Sequence, residues 1–355
     1  EQNINPQNIF YLNKEIIDFD QIKTYVELNE LFTFYKEKLN PKGKIYIFLD
    51  EVQEITGWEK IVNSWSQDYK DTYEVFISGS NSKMLSSELA TYLSGRYISF
   101  EVFPFAYSEF IDYLKKERNK QTYLEFLSTG GLPELFALQE NEAKRYYVSA
   151  LRDTVILKDI VQKYQIKDAY LLEKIFLFLT DNIGNLFSIQ GIVDYLEKQK
   201  HKTNVETVSN YLKYLLETFL IHETERYDVK GKKILAGPKK YYVNDLAFRN
   251  YLSSGFDSGL GGHLENAVYL YYRQHGFQIY VGKIGDFEVD FVVEKNNDKK
   301  YIQVTHSLSS QSVIEREFGN LQKIYDSYEK IVISLDDISF GNKEGIKHVL
   351  AWELE

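Results

Sequence analysis

Short apolar runs alternate with amphipathic stretches over the first hundred residues of the chain. The apolar runs cover residues 9–12, 44–49, 73–77 and 97–102, and helical spacing covers 22–39 and 58–65. Strands that alternate with helices are typical of βαβ units, in which the strands form a parallel sheet. The pattern therefore predicts an α/β core at the N-terminus.

The rest of the chain divides into three further segments by the same criterion. Residues 105–164 show helical spacing throughout, which predicts a helical connector. Residues 165–250 suggest a winged helix, with helices at 171–179 and 189–196, a long helix after Asn204, and a hairpin of strands 221–227 and 240–243. Residues 251–355 return to an α/β pattern. The predicted domains are 1–104, 105–164, 165–250 and 251–355.

Composition narrows the class of protein. The chain has 355 residues, a formal net charge of −10 and no cysteine, which excludes disulfides and thiolate metal sites and favours a reducing compartment. No apolar stretch reaches the roughly 20 residues of a membrane helix. We expect a soluble cytoplasmic protein without membrane contact, and the net acidity argues against coating of nucleic acid by its whole surface.

Two adjacent carboxylates follow the apolar run that ends at Leu49. Asp50 and Glu51 stand where a nucleotide hydrolase places one carboxylate to hold Mg²⁺ and a second to polarise the attacking water. Acidic residues also follow strands as simple helix caps. The pair alone leaves both interpretations open.

The wider motif order decides between them. Asp50-Glu51-Val52-Gln53, Gly57-Trp58, Ser78-Gly79-Ser80-Asn81-Ser82, Leu93-Ser94-Gly95-Arg96 and Phe103-Pro104-Phe105 follow one another along the chain. This order resembles a family of prokaryotic AAA+-type ATPases whose core is followed by a winged helix and a restriction-endonuclease-like domain. The resemblance covers nearly the whole chain.

The resemblance implies roles for individual residues, with ATP and Mg²⁺ as ligands. Asp50 corresponds to the Walker B magnesium ligand and Glu51 to the catalytic base. Ser80 or Asn81 corresponds to the polar residue that senses the γ-phosphate. Arg96 corresponds to an arginine that faces phosphate in a neighbouring subunit, which would make a homo-oligomer, although an ordinary surface arginine is an equal alternative.

The chain departs from the family at the phosphate-binding loop. The pattern G-x-x-x-x-G-K-[ST], whose backbone amides and lysine hold the phosphates, does not occur in it. The chain begins at Glu1 and its only methionine is Met84, so we expect the loop to lie upstream of residue 1. On this expectation the 355 residues alone bind ATP weakly or not at all.

The C-terminal segment resembles the restriction-endonuclease fold but has a degenerate site pattern. Such enzymes use Glu, Asp and Glu-x-Lys, in which the carboxylates hold a metal and the lysine activates water. Glu265 and Asp290 match the first two positions, whereas Gln303 and Thr305 replace the last Glu and the Lys. Because two of the four groups are lost, we expect a fold kept for binding or packing, with loose metal binding by Glu265 and Asp290 still open.

A basic segment runs through the predicted winged helix. Residues 198–240 contain ten Lys or Arg against five Asp or Glu. Such a segment is where DNA phosphates would be contacted, although winged helices also serve in protein contacts, and we weigh the two equally. The candidate nucleic-acid ligands are Asn204, Thr207, Asn210, Lys213, Lys230, Lys232 and Lys233.

The sequence thus predicts a Mg²⁺-dependent ATPase whose hydrolysis drives movement of the appended domains. The alternative is a DNA-binding or toxin-antitoxin-like interaction protein in which nucleotide acts only as a switch. A third interpretation is a residual metal nuclease, whose Mg²⁺-dependent nicking would be lost in an Asp290→Ala variant.

Overall fold

The computed structural model describes residues 4–67, 72–80, 97–253 and 259–354. The described chain divides into two compact units, Glu1–Glu101 and Val102–Glu355. Asn81 and Arg96, two of the predicted nucleotide-site residues, lie outside the described residues.

The first unit is built on a parallel sheet, as the sequence predicts. Strands β1 (Ile9–Asn13), β2 (Ile45–Asp50) and β3 (Tyr73–Ile77) lie in that order, and both neighbouring pairs are parallel. Helices α1 (Tyr25–Leu39) and α2 (Trp58–Ser66) occupy the connections. Between residues 9 and 77, the strand and helix positions agree closely with the apolar pattern.

The core of the first unit lies on one face of this sheet. Ile47 and Leu49 of β2 are buried with Phe32 of α1 and Trp65 of α2, whose rings are 4.7 Å apart between centroids. Phe48 points to the opposite face and stacks on the ring of β3 Phe76 at 4.8 Å. Alternation along β2 thus divides its side chains between the two faces.

The apolar run at residues 97–102 is not a strand. Residues 97–103 are neither helical nor paired in a sheet, and the side chains of Ile98, Phe100 and Val102 are 81%, 80% and 91% exposed. A run of apolar residues becomes a strand only where a neighbouring strand can pair with it. The structure gives this segment no such neighbour among the described residues.

The second unit begins with helices. The segment 105–164, predicted to be helical, contains α3 (Tyr107–Leu114), α4 (Lys120–Thr129) and α5 (Asn141–Thr154), and α5 continues into a π-helical stretch at Val155–Gln162. Short 3₁₀ turns lie in both units. Those of the first unit are Pro6–Asn8, Ile17–Phe19 and Val52–Glu54, and those of the second are Pro133–Phe136 and Ala351–Glu353. The helices of the unit are α3 (Tyr107–Leu114), α4 (Lys120–Thr129), α5 (Asn141–Thr154), α6 (Ala169–Asp181), α7 (Ile189–Lys198), α8 (Val205–Glu217), α9 (Leu246–Leu252), α10 (Leu260–Gln274) and α11 (Gln311–Gln322).

A mixed nine-stranded sheet spans the second unit. Its strands are β4 (Leu186–Phe187), β5 (Ile221–Asp228), β6 (Lys233–Val243), β7 (Gln278–Ile284), β8 (Phe287–Lys295), β9 (Asp298–Thr305), β10 (Glu329–Ser334), β11 (Asn342–Lys343) and β12 (Ile346–Leu350). They lie in the order β11-β12-β10-β9-β8-β7-β5-β6-β4. The hairpin β5–β6 that we predicted as the wing pairs with the C-terminal strands, because β5 lies parallel to β7. One sheet therefore runs through segments 165–250 and 251–355.

Helices α10 and α11 contribute to two different hydrophobic cores of this sheet. Tyr269 of α10 is buried in the same cluster as Phe291 and Ile302. Phe318 of α11 belongs to a second cluster, together with Tyr301. Because neighbouring strand residues alternate between faces, the adjacent pair Tyr301 and Ile302 shows that the helices cover opposite faces.

Candidate functional site

The first candidate site lies where the parallel strands of the first unit end. Asp50 closes β2 and is in register with Asn13, the last residue of β1. The Ser78 hydroxyl, directly after β3, donates a hydrogen bond to Oδ1 of Asp50. Parallel strands end at one edge of a sheet, which is where open α/β sheets bind their ligands. The structure therefore brings Asp50 and Ser78 together at the expected edge.

Glu51 leaves the strand in a left-handed backbone conformation, with φ 54° and ψ 45°. This conformation is uncommon for a residue with a side chain, and residues held in it occur disproportionately at functional sites. Glu51 leads into the 3₁₀ turn Val52–Glu54, and the Val52 amide donates to the Ser78 carbonyl at 3.2 Å. The turn is thus tied to the end of β3.

Gln53 connects the predicted base to the predicted sensor. Its side-chain amide donates to Oε2 of Glu51 and lies 3.5 Å from Oγ of Ser80. The sequence motif contains Gln53 but does not predict a role for its side chain. Gln53 reaches the Glu51 carboxylate because of the tight turn after β2. The spacing of apolar residues along strands and helices does not predict this turn.

The donor set at this edge suits magnesium in a particular way. Among the described residues, no group of three or more His, Asp or Glu side chains could hold a metal ion. Mg²⁺ bound with a nucleotide usually takes only one or two protein carboxylates, and phosphate oxygens and water complete its shell. Asp50, held by Ser78, fits that role as a single carboxylate ligand.

The second candidate site centres on a buried lysine that the sequence analysis did not single out as a site residue. Lys240 of β6 is 3% exposed, and its ammonium lies 3.0 Å from Oε1 of Glu265 and 2.8 Å from Oε1 of Glu288. Oδ1 of Asp290 is 3.9 Å away. The Tyr242 hydroxyl adds a hydrogen bond of 2.8 Å to Oε1 of Glu265. Glu265 and Asp290 thus both lie close to one ammonium group.

The electrostatics of this cluster follow from burial and crowding. Burial alone lowers the pKa of Lys240, but the three surrounding carboxylates outweigh it and raise the pKa above its ordinary value. Burial, followed by the charge of Glu265, raises the pKa of Asp290 to about 8, while Lys240 acts in the opposite direction. The lysine is therefore the cation that holds the carboxylates together.

Gln303 and Thr305 form no hydrogen bond with this cluster among the described residues. Both side chains are buried, and Oε1 of Gln303 has no hydrogen-bond partner in the described ranges. The Val304 amide, between them on β9, donates a hydrogen bond of 2.8 Å to Oδ2 of Asp290. The hydrogen bond that β9 gives to the cluster therefore comes from its backbone.

Side chains of β6 alternate between the two faces of the sheet, and this alternation indicates that Lys240 lies on a buried face. Lys240 and Tyr242 are two residues apart, so they share a face, and both contact Glu265. A lysine on the buried face of a strand needs carboxylate partners, because an unpaired buried charge is costly. The charge pattern of this segment instead indicates a surface for contacts with DNA or with protein.

Two of the ten basic residues in that segment are neutralised within the protein. Lys240 is buried among carboxylates, and Nζ of Lys239 lies 2.6 Å from Glu223 and 3.5 Å from Glu225. Asn204 caps α8 by accepting a hydrogen bond of 2.8 Å from the Thr207 amide. The other predicted nucleic-acid ligands are exposed on α8 or the hairpin loop: Asn210, Lys213, Lys230, Lys232 and Lys233.

Comparison with known proteins adds to this geometry. Residues 1–111 match the family model of the AAA domain, and residues 120–259 match a domain of unknown function (DUF8612). An uncharacterized protein of Haemophilus influenzae is 31% identical over 362 residues, an alignment that covers 100% of this chain and 88% of the relative. The chain belongs to the family of this Haemophilus protein.

A second relative and a solved structure were also found. The uncharacterized protein MJ1544 of Methanocaldococcus jannaschii is 29% identical over 357 residues, which cover 96% of this chain and 78% of the relative. The crystal structure of protein VC1899 from Vibrio cholerae covers 87% of both chains at 12% identity and a TM-score of 0.21, too low to support any statement about the fold.

The AAA match assigns the N-terminal residues of this family member to a class of nucleotide-binding domains. Asp50, Glu51, Ser78 and Ser80 all fall within the matched region, at one edge of the sheet. In the parts of the chain that the structure describes, no helix is long and apolar enough to cross a membrane.

Proposed function

We propose that this protein is a Mg²⁺-dependent ATPase that hydrolyses ATP at the edge of the parallel sheet where Asp50 and Glu51 lie. The observation that carries the proposal is the placement of both carboxylates, within an AAA-type domain, beside the polar residues that follow β3. Phosphoryl transfer needs little covalent chemistry from a protein beyond positioning and charge stabilisation. The residues at this edge supply both.

Each side chain has a distinct task in the proposed reaction. Asp50, oriented by Ser78, would hold Mg²⁺, which would neutralise charge on the phosphates of ATP. Glu51 accepts a proton from the water whose oxygen attacks the γ-phosphorus, and ADP leaves as the bond to its β-phosphate oxygen breaks. Gln53 orients the Glu51 carboxylate, and Ser80 or Asn81 contacts the γ-phosphate.

The second unit is the proposed recipient of the energy of hydrolysis. We assign α6, α7, α8 and the β5–β6 hairpin as a winged helix, and the C-terminal strands with α10 and α11 as a restriction-endonuclease-like domain. In this assignment Lys240 takes the position of a cation among Glu265, Glu288 and Asp290. A site already filled by an ammonium group favours a structural domain over a metal nuclease.

An Asp50→Asn variant of the full-length natural protein tests the metal-binding role. Asparagine keeps the shape of the side chain but removes the charge. We therefore expect the ratio of ATP affinity in Mg²⁺ to ATP affinity in EDTA to be at least about tenfold smaller in the variant than in the wild type. Isothermal titration with ATP in Mg²⁺ and in EDTA measures both affinities. Asp18→Asn, in the 3₁₀ turn Ile17–Phe19, is the matched control. An unchanged Mg²⁺ effect in Asp50→Asn would exclude Asp50 as the ligand.

DNA binding is a second candidate function, in which nucleotide acts as a switch. The observation in its favour is the group of exposed lysines at the β5–β6 loop, Lys230, Lys232 and Lys233. Binding through phosphate contacts falls steeply with salt. Anisotropy of a labelled duplex over a salt series, compared between wild type and a variant with all three lysines changed to glutamine, distinguishes this function from ATP hydrolysis alone.

A further inference from the structure

A cavity of about 330 Å³ lies within the second unit, apart from both candidate sites. Its walls come from the start of α3, from α4, from α10 and from the C-terminal turn. Five aromatic side chains line it: Phe105, Tyr107, Tyr123, Phe126 and Tyr271. A cavity of this size and apolar character falls in the range that small organic ligands occupy.

Asp245, the N-cap residue of α9, is one of the residues that line this cavity. The residue is 2% exposed, and its two oxygens accept hydrogen bonds of 2.7 Å from the amides of Gly131 and Ala247. Among the described residues, no basic side chain forms an ion pair with it. A buried carboxylate is normally paired with a cation, because burial without a counter-charge is costly.

The position of this carboxylate is fixed by the chain around it. Gly130 has φ 88°, and a Cβ atom placed on it would stand 2.1 Å from Oδ1 of Asp245. Any other residue at this position would push the carboxylate away. The acid is thus held in place before a ligand arrives, which lowers the free-energy cost of binding.

The two basic side chains in the cavity wall contact groups other than Asp245, and the Arg118 guanidinium also lies over the Tyr107 ring, 5.6 Å from its centroid. Nη1 of Arg118 donates to the carbonyls of Trp352 and Leu354 at 3.1 and 3.2 Å. Nδ1 of His275 lies 2.7 Å from the Tyr271 carbonyl oxygen. Both residues are exposed to solvent, whereas Asp245 is buried.

We propose that this cavity binds a small organic cation, an ammonium group on an apolar or aromatic body, with the ammonium at Asp245 and the body among the aromatic rings. The ligand supplies the positive charge that the buried carboxylate lacks. The faces of aromatic rings attract cations and also pack against apolar groups. The aromatic rings and Asp245 therefore favour the same kind of molecule. This proposal is independent of ATP hydrolysis.

Three indole compounds that differ only in the side-chain terminus test the charge requirement. Tryptamine is a cation, tryptophol is its neutral analogue, and indole-3-propionate is an anion. In calorimetric titrations of the full chain at pH 8, we expect tryptamine to bind at least about tenfold more tightly than either of the others. Equal binding of tryptophol, tighter binding of the propionate, or no tryptamine binding at millimolar concentration would overturn the proposal.

The pH dependence of tryptamine binding provides a second test. Burial raises the pKa of Asp245 to about 7, and Tyr147 and Tyr251, which face it, remain neutral. Tryptamine stays protonated across this range, so its affinity should rise about tenfold from pH 6 to pH 8 as Asp245 ionises. A His275→Gln variant must show the same rise. A flat profile in that variant would contradict the role of Asp245.

Two variants connect the binding to this cavity. Asp245→Asn should remove the preference for tryptamine over tryptophol, while circular dichroism confirms that the variant is folded. If the loss of this helix cap prevents folding, Ala267→Met replaces it as the test, because Ala267 lines the cavity and the longer side chain fills it. A preference for tryptamine over tryptophol that persists in folded Asp245→Asn, or unchanged tryptamine binding in folded Ala267→Met, would place the ligand elsewhere.

Discussion

Replacing Glu51 with glutamine is expected to lower ATP turnover by at least about 100-fold while leaving ATP binding within about twofold of the wild type. Glutamine has the same shape as glutamate but cannot accept a proton from the attacking water. The Gln53 side-chain amide can still donate to the glutamine carbonyl oxygen, so the left-handed turn and the neighbouring strand ends should keep their positions. The loss is thus confined to the chemical step.

The same short turn provides the matched control for this variant. Glu54 ends the 3₁₀ turn Val52–Glu54 and is exposed, so Glu54→Gln changes the charge of the chain by the same amount. Turnover of Glu54→Gln should stay within about twofold of the wild type. A steady-state phosphate-release assay measures the rates, and equilibrium titration measures binding. Equal turnover in the wild type and Glu51→Gln would show that Glu51 is not the base.

Replacing Lys240 with methionine is expected to lower the free energy of unfolding by about 3–5 kcal/mol at pH 8. Methionine fills a similar volume but leaves three carboxylates around the site without their cation. Removal of one partner from a buried ion cluster costs far more than removal of an exposed pair, because the remaining charges stay desolvated. Urea unfolding of the full chain, monitored by a signal that reports on the second unit, measures the loss in the free energy of unfolding.

Lys239→Met is the matched control, one residue away on the same strand. Its side chain is 31% exposed and pairs with Glu223 and Glu225, so its loss should cost within about 1 kcal/mol. A larger loss for Lys239→Met than for Lys240→Met would contradict the role given to the buried cluster.

The effect of Lys240→Met should depend on pH in a defined direction. The raised pKa of Lys240 means that the stability it contributes is complete at neutral pH and is lost only as pH rises through its folded value. Asp290 binds its proton more tightly in the folded state, so its charging destabilises the protein between its ordinary pKa and about 8. The deficit of the variant should therefore be greater at pH 8.5 than at pH 5, where the acid is neutral.

Local patterns were sufficient for the strands and helices between residues 9 and 77 and for the place of Asp50 at the end of a strand. Strand β2 has a continuous apolar run and ends at Asp50, and strands that alternate with helices require a parallel sheet, so the meeting of Asp50 and Ser78 could be predicted. The bond from Gln53 to Glu51 could not, because it depends on the left-handed backbone of Glu51, which a glutamate seldom adopts.

Long-range pairing accounts for what the sequence did not reveal. Lys240 reaches Glu265 only because the hairpin β5–β6 joins the same sheet as β8. Strand order depends on contacts between residues far apart in the chain, which periodicity within one segment does not encode. For the same reason the apolar residues of 97–102 suggested a strand although the structure gives them no strand partner among the described residues.

The most direct test of the proposed function is ATP hydrolysis by the full-length natural protein, measured as phosphate release over a Mg²⁺ and ATP concentration series. We expect saturable turnover that requires Mg²⁺ and stops on addition of EDTA, because in the proposed site Mg²⁺ has Asp50 as its one protein carboxylate and depends on the nucleotide phosphates for further ligands. Absence of both turnover and ATP binding in the folded full-length protein would contradict the assignment of an ATPase.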